Sequence, residues 1–180
     1  MKLYFRNHNR HSIRLPEHDY SQSGIYFVTI CCYEKQHFFG EINDGRMLLS
    51  PIGQIAKQCW LDISQHFRNV ILDEYVIMPN HVHGLIEIVN HNHNVGAQNF
   101  APLRGSQNKF QVMPRSLGSI IRGYKIGVTK WCRQNNMEYF KWQRNYYERI
   151  IRDEMELFRV RKYIKNNPVN WQTDKNNIKI

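Results

Sequence analysis

The order of apolar and polar positions predicts an opening strand, a hairpin and a helix. The segment 24–33, GIYFVTICCY, is rich in β-branched and aromatic residues and is predicted to form a buried strand. A hairpin is expected through residues 40–47. Ser50 followed by Pro51 is typical of a helix start, and apolar side chains then recur at helical spacing as far as Phe67.

Residues 74–89, EYVIMPNHVHGLIEIV, contain two apolar strands joined by a proline-asparagine corner. Successive side chains of a strand point to opposite faces, so His81 and His83 project to one face and Val82 to the other. Two imidazoles on one face supply half of a metal site, and the open corner leaves room for water or a substrate phosphate. Histidines near turns also occur without metal, so the pair alone leaves a purely structural role open.

Residues 115–133 show the clearest helical pattern, with the apolar side chains inside an arc of about 120°. Ile126 alone breaks the pattern. The opposite face carries only positive charge, whereas a merely solvated helix face normally mixes both signs. Its cations are Arg115, Arg122, Lys125, Lys130 and Arg133.

The C-terminal part is predicted to hold a strand around 146–151 and a last helix. Asp153 with Glu156 three residues later matches a capping box, and Pro168 ends the helix. The order strand, helix, strand, strand, helix, strand predicts an α+β fold, a ferredoxin-like βαββαβ antiparallel sheet with an added C-terminal helix. The two crossover helices should cover one face of the sheet, which leaves the histidine face to the added helix.

The remaining segments lack periodicity. We expect a basic N-terminal arm at 1–23, one domain over 24–171 that includes a flexible loop at 90–114, and a tail at 172–180. A second His-x-His pair falls in that loop, where nothing in the sequence holds it rigid.

The net charge of +10 is concentrated in one half of the chain. Residues 1–100 contain 8 Lys and Arg against 9 Asp and Glu, whereas residues 101–180 contain 17 against 6, a net charge of +11. Such a one-sided positive field points first to nucleic acid phosphates and second to an anionic membrane surface. The chain has neither a membrane-spanning apolar run nor a signal-peptide pattern, so we expect a cytoplasmic, nucleoid-associated protein with no membrane partner.

A tyrosine on the last helix offers the chemistry that the histidines lack. Tyr163 lies at the edge of that helix's apolar stripe, with Asn167 one turn later. A tyrosine there is more often a packing residue. However, a phenolate is an oxygen nucleophile that can hold a DNA end, and a metal on His81 and His83 would polarise the attacked phosphate.

Taken in order, the segments YFVTICCY, YVIMPNHVHGLIEI, the basic helix, FKWQRNYYERIIR and YIKNNPV resemble the single-tyrosine HUH transposases, most closely the REP-associated tyrosine transposases. The resemblance covers roughly residues 12–171. It implies that His81 and His83 hold a divalent metal, Mg²⁺ or Mn²⁺, that Asn167 completes the metal site, and that Tyr163 is the nucleophile. It also implies cleavage of single-stranded DNA beside a small hairpin through a 5′-phosphotyrosine link.

One position departs from the family pattern, since Arg149 stands where many relatives carry histidine. The residues expected to contact DNA are the five cations of the basic helix together with Arg14, Arg149, Arg159 and Lys162.

The sequence therefore predicts a metal-dependent single-stranded DNA endonuclease and strand transferase. Its partner would be single-stranded or hairpin DNA, and a homodimer stays open, as does the question of whether Tyr163 serves its own chain or a partner's. One alternative is a domesticated hairpin-DNA-binding protein or repressor that does not cleave. Another is a metal phosphoesterase acting on nucleotides, which is disfavoured because a small substrate does not require so basic a half-chain.

Overall fold

A four-stranded antiparallel sheet forms the centre of the computed structural model, which describes residues 23–89 and 116–177. In chain order the elements are β1 (Gly24–Cys31), β2 (Gly40–Asn43), β3 (Arg46–Leu49), α1 (Pro51–Leu61), α2 (Ile63–His66), β4 (Val70–Ile77), β5 (His81–Ile88), α3 (Leu117–Gln134), β6 (Tyr147–Ile151) and α4 (Glu154–Asn166). The sheet order is β4-β5-β1-β6, and β2 pairs with β3 in a separate hairpin. This order confirms the ferredoxin-like βαββαβ arrangement with an added C-terminal helix.

The helix starts follow from their capping residues. The Ser50 hydroxyl accepts a hydrogen bond from the Gly53 amide at 3.0 Å, so α1 begins at the predicted position. The Asp153 carboxylate accepts from the Glu156 amide at 2.7 Å, and the Glu156 carboxylate accepts from the Arg152 amide at 3.0 Å. The first bond satisfies an amide that the first turn of α4 leaves without a helical partner, and the second connects this turn to the residue before the cap.

Strand β4 begins at Val70, four residues earlier than the sequence pattern indicates. Its pairing with β5 shifts register between Leu72 and Tyr75, so the alternation of apolar and polar positions is broken there. Because of this break, the periodicity of the sequence did not predict the first residues of the strand.

Helices α1 and α3 cover one face of the sheet. The strand side chains beneath them are fully buried and include Tyr26, Val28, Ile30, Val82 and Ile86. Gly84 lies on the same face, and a Cβ atom there would sit 2.2 Å from the Trp60 ring of α1. A glycine at this position therefore allows α1 to pack closely on β5.

Helix α4 covers the opposite face, which carries the histidines, as the order of elements predicted. Among the described residues, three ion pairs connect the helix to β6 or β4: Arg149 with Glu156, Arg161 with Asp73 and Lys165 with Glu74, with N···O distances of 2.5, 2.6 and 2.8 Å. Burial raises the pKa of the Asp73 carboxyl, but hydrogen bonds from the Arg161 guanidinium and the Glu74 amide outweigh burial and hold the pKa below its ordinary value. Because α4 carries Tyr163, these contacts set where its hydroxyl lies.

Two predicted segments lie outside the described residues: the basic N-terminal arm as far as residue 22, with Arg14, and the whole of the 90–114 loop, together with Arg115. Among the residues that are described, no helix has both the length and the apolar character needed to cross a bilayer.

Candidate active site

His81 and His83 lie side by side at the start of β5. Their side chains are 0% and 1% exposed, and their ring centroids are 4.4 Å apart. Strand alternation brings both rings to the face beneath α4, away from the core between the sheet, α1 and α3.

Each imidazole is held through its Nδ1 atom. His81 Nδ1 lies 2.8 Å from Asn80 Oδ1, and His83 Nδ1 lies 2.9 Å from Thr29 Oγ1. His81 Nε2 is buried and has no hydrogen-bond partner in the described part of the chain, whereas His83 Nε2 lies 3.2 Å from the Tyr163 hydroxyl. Both Nε2 atoms therefore face one shared site.

Tyr163 reaches this site from α4 of its own chain. Its hydroxyl lies 3.2 Å from His83 Nε2 and donates to Asp174 Oδ2 at 3.4 Å. Its ring packs edge-on against Phe27 with the centroids 6.1 Å apart, and the residue remains 41% exposed. Burial and the neighbouring Asp174 charge raise the pKa of Tyr163, so the phenol is protonated at neutral pH.

Asn167 caps the C-terminal end of α4 and is 2% exposed. Its Nδ2 donates to Asp174 Oδ2 at 3.4 Å, and its Oδ1 is buried without a partner. The amide oxygen is thus free to take up a further interaction.

Asp174 belongs to the site although the sequence did not point to it. It follows a 3-10 turn at Trp171–Thr173 that folds back over the histidines, and the Trp171 and His81 ring centroids are 6.1 Å apart. Its one signal in the sequence is that it is the single acidic residue after Pro168. The segment predicted as a tail therefore supplies a carboxylate to the histidine pair.

The donor atoms fit a divalent metal. Nitrogen or oxygen atoms of His81, His83 and Asp174 all lie within 4.8 Å of one another. His81 Nε2 and Asn167 Oδ1 are buried polar atoms without partners, a condition that costs about 1–3 kcal/mol for each atom. A cation bound by these atoms would remove that cost, and imidazole nitrogens with carboxylate or amide oxygens are common ligands of divalent metals.

The electrostatics of the histidines also suit metal binding. Burial lowers the pKa of His83 to about 4, against an opposing attraction from Asp174. Burial, and next the His83 charge, lower the pKa of His81 well below its ordinary value. Both imidazoles are therefore neutral at pH 7, which is the form that binds metal.

The predicted basic helix is α3, and its outer side forms a groove. Arg122, Lys130 and Arg133 line a cavity of about 520 Å³ together with Arg144 from the segment before β6. Ile126, which breaks the cationic pattern in the sequence, is 54% exposed and lines the same groove. This α3 groove lies on the opposite side of the sheet from Tyr163.

Lys125 also lines the α3 groove, but its ammonium group is held by the chain itself. Nζ donates to the carbonyls of Gln143 and Asn145 at 2.8 and 3.2 Å, and it lies 5.7 Å from the Trp142 ring centroid. Burial lowers the pKa of Lys125 to about 8. The Lys125 ammonium group thus binds the segment that carries Arg144.

The other predicted DNA-binding cations lie on the α4 side of the sheet. Arg149 is paired with Glu156, Arg159 Nε donates to the Met155 carbonyl at 3.2 Å, and Lys162 is exposed. The cations expected to bind DNA therefore form two groups on two sides of the molecule.

Comparison with solved structures gives a REP-associated tyrosine transposase bound to a REP hairpin, with a TM-score of 0.59, 15% identity, and coverage of 91% of this chain and 77% of that one. A second structure, a putative transposase of Deinococcus radiodurans, has a TM-score of 0.45 and 13% identity, with 85% and 97% of the two chains covered. No protein-family model matches the sequence. An uncharacterized protein of Haemophilus influenzae is 45% identical over 169 residues, which cover 93% of this chain and 92% of the relative. The chain therefore belongs to the same protein family as this Haemophilus influenzae protein, and its fold is similar to that of a REP-associated tyrosine transposase.

Proposed function

We propose that this protein is a metal-dependent endonuclease and strand transferase that acts on single-stranded DNA next to hairpins. One observation carries the proposal: the Tyr163 hydroxyl lies 3.2 Å from His83 Nε2, beside the unpartnered Nε2 of His81. A hydroxyl that can act as a nucleophile and two nitrogens that can bind a metal thus share one site. The fold similarity to a transposase that binds a DNA hairpin supports the same activity.

In the proposed step, the Tyr163 oxygen forms a bond to a DNA phosphorus atom while the bond from phosphorus to the 3′-oxygen breaks. The 3′-oxygen leaves and takes up a proton from water, so the products are a 5′-phosphotyrosine and a 3′-hydroxyl. The carboxylate of Asp174, 3.4 Å from the phenol, is an acceptor for the proton that Tyr163 loses. An incoming 3′-hydroxyl that attacks the phosphotyrosine reverses the step and joins two strands, so the same residues perform transfer.

His81, His83, Asp174 and Asn167 would hold the metal. When bound, a divalent cation supplies positive charge that polarises the phosphate and favours the phenolate form of the nucleophile. Mg²⁺ is bound mostly by oxygen atoms, whereas Mn²⁺ also accepts imidazole nitrogen. We therefore expect Mn²⁺ to support cleavage at lower concentration than Mg²⁺.

The two groups of cations suggest which part of the DNA each side of the protein contacts. The α3 groove combines arginines with an apolar side chain and faces away from Tyr163, so it is suited to phosphates of the hairpin stem. Arg159 and Lys162 share α4 with Tyr163 and are suited to the single strand that is cut. A substrate that contacts both groups must pass around an edge of the sheet.

One observation favours the alternative of a hairpin-binding protein without cleavage. The negative Asp174 carboxylate lies next to the Tyr163 hydroxyl, where it opposes the approach of a phosphate unless a cation is present. A protein that does not bind metal at this site would bind DNA and leave it intact.

The test uses a labelled hairpin with a single-stranded flank and Mn²⁺. We expect His81→Ala and His83→Ala to abolish cutting but to retain hairpin binding in a gel shift and a melting temperature within a few degrees. His66→Ala, which changes an exposed histidine of α2, is the matched control and should cut normally. Cutting that persists in EDTA, or in either site variant, would contradict the proposed metal dependence.

A further inference from the structure

Asn80, the residue before the first histidine, is completely buried and makes three side-chain contacts. Its Nδ2 donates to the Lys35 carbonyl at 3.0 Å and to the Asn176 carbonyl at 2.9 Å. A carbonyl oxygen can only accept a hydrogen bond, so these two contacts fix which end of the amide is the NH₂ group. The oxygen end must then face His81, from whose Nδ1 atom it lies 2.8 Å away.

This orientation determines the protonation of the His81 ring. Asn80 Oδ1 can only accept, so His81 Nδ1 must carry the hydrogen. A neutral imidazole has one N–H group, so the lone pair lies on Nε2, the buried atom that has no partner among the described residues. In water a neutral histidine prefers the opposite tautomer, with the hydrogen on Nε2. The environment of Asn80 therefore selects the form that can bind a cation through Nε2.

The second histidine is held differently, by the Thr29 hydroxyl and by the backbone of Val28. His83 Nδ1 contacts Thr29 Oγ1 at 2.9 Å, and a hydroxyl both donates and accepts. Thr29 is therefore compatible with either tautomer of His83. For His81, the Asn80 contact by itself fixes the tautomer.

Asn80 also connects the two parts of the candidate metal site. One of its amide hydrogens is bound to the Asn176 carbonyl, in the segment that folds back over His81 and carries Asp174. The Asp174 Oδ1 atom accepts from the Asn176 amide at 2.6 Å in the same segment. A single buried side chain thus holds one imidazole and the segment that brings the carboxylate to it.

We propose that Asn80 is a positioning residue that fixes the Nδ1–H tautomer of His81 and presents its Nε2 lone pair to a divalent cation. The proposal rests on the metal site of the proposed function and deepens it. Groups that hold the second nitrogen of a metal-binding histidine typically contribute about 10–100-fold to metal affinity. Asn80 is expected to contribute on this scale without contacting the metal.

The tautomer is measured on metal-free protein labelled with ¹⁵N-histidine, because long-range ¹H–¹⁵N correlations distinguish Nδ1–H from Nε2–H. Wild type should show His81 as Nδ1–H. Asn80→Ala should convert His81 toward Nε2–H and weaken Mn²⁺ binding, measured by calorimetry, by about 10–100-fold. Asn80→Asp retains an oxygen acceptor for Nδ1–H, so it should restore the tautomer while losing the two donated bonds.

Asn176→Ala is the matched control, since it removes a buried side chain but leaves the carbonyl that Asn80 binds. It should preserve both the tautomer and the Mn²⁺ affinity. An Nε2–H tautomer in wild type overturns the proposal even if no Asn80 variant folds, as does unchanged Mn²⁺ affinity in a folded Asn80→Ala protein or no Mn²⁺ binding by wild type. A protein with the expected tautomer and Mn²⁺ affinity that fails to cut DNA contradicts the proposed function alone.

Discussion

The α3 groove leads to a quantitative prediction about DNA binding. Arg122 and Arg133 are both exposed, line the groove and are eleven residues apart, or about 16 Å along the helix axis. At that separation they cannot contact the same phosphate. We therefore expect the double substitution Arg122→Ala with Arg133→Ala to remove two independent phosphate contacts.

Each phosphate contact on duplex DNA contributes about 0.9 to the slope of log affinity against log salt concentration, because binding releases condensed counterions. Loss of two contacts should reduce the steepness of that slope by about 1.8, which corresponds to about 30-fold weaker binding near 0.15 M salt. The measurement is fluorescence anisotropy of a labelled hairpin over a series of salt concentrations.

The matched control is the double substitution Arg46→Ala with Lys57→Ala, which removes two exposed cations from the β2–β3 hairpin and from α1. It removes the same net charge but lies outside the groove lining. An equal loss of affinity and slope in the control would show that only overall charge matters. Because the groove is on the opposite side of the sheet from Tyr163, the cleavage rate at saturating DNA should be unchanged in both variants.

Three further changes test the fold and the site. Gly84→Ala should destabilise the protein by about 1–3 kcal/mol in urea denaturation, because its Cβ would lie 2.2 Å from the Trp60 ring. The folded-state pKa of His83 is about 4, below its ordinary value of 6.5, so its contribution to stability is complete above pH 6.5 and is lost as pH falls toward 4. This loss should reach about 3 kcal/mol in melting experiments on the protein in EDTA. Asp174→Ala removes a donor oxygen and should weaken Mn²⁺ binding at least about tenfold in calorimetry, and unchanged affinity would exclude Asp174 as a ligand.

The sheet and the positions of the histidines could be predicted from local patterns. Strand alternation places His81 and His83 on one face whatever the rest of the chain does. The capping residues Asp153 and Ser50 mark helix starts through bonds to amides three residues away. The order of the elements then leaves one face of the sheet to α4.

The residues that complete the site depend on contacts between distant segments. Asp174 follows the end of the last helix in a stretch without periodicity, so its place beside His83 depends on how that stretch folds back. Asn80 draws its orientation from carbonyls that are 45 and 96 residues away in sequence. Lys125 fits the cationic face of a helix, yet its ammonium group binds carbonyls of the segment before β6. The sequence pattern of a single helix or strand cannot predict such contacts.

The nucleophile can be identified from the covalent product. Tyr147 is the most demanding control, because it pairs directly with Thr29 on the histidine face of the sheet and is 39% exposed. Tyr146, its neighbour, packs against the core on the other side. Both can be changed to phenylalanine, which removes only the hydroxyl.

The most direct measurement is therefore the protein–DNA adduct formed with Mn²⁺ and a hairpin substrate, separated on a denaturing gel and mapped by peptide mass spectrometry. Wild type, Tyr146→Phe and Tyr147→Phe should form an adduct on the peptide that contains Tyr163. Tyr163→Phe should form none while binding the hairpin with unchanged affinity. An undiminished adduct from Tyr163→Phe would contradict its role as nucleophile, and a wild type that binds hairpins but never forms an adduct would support the non-cleaving alternative.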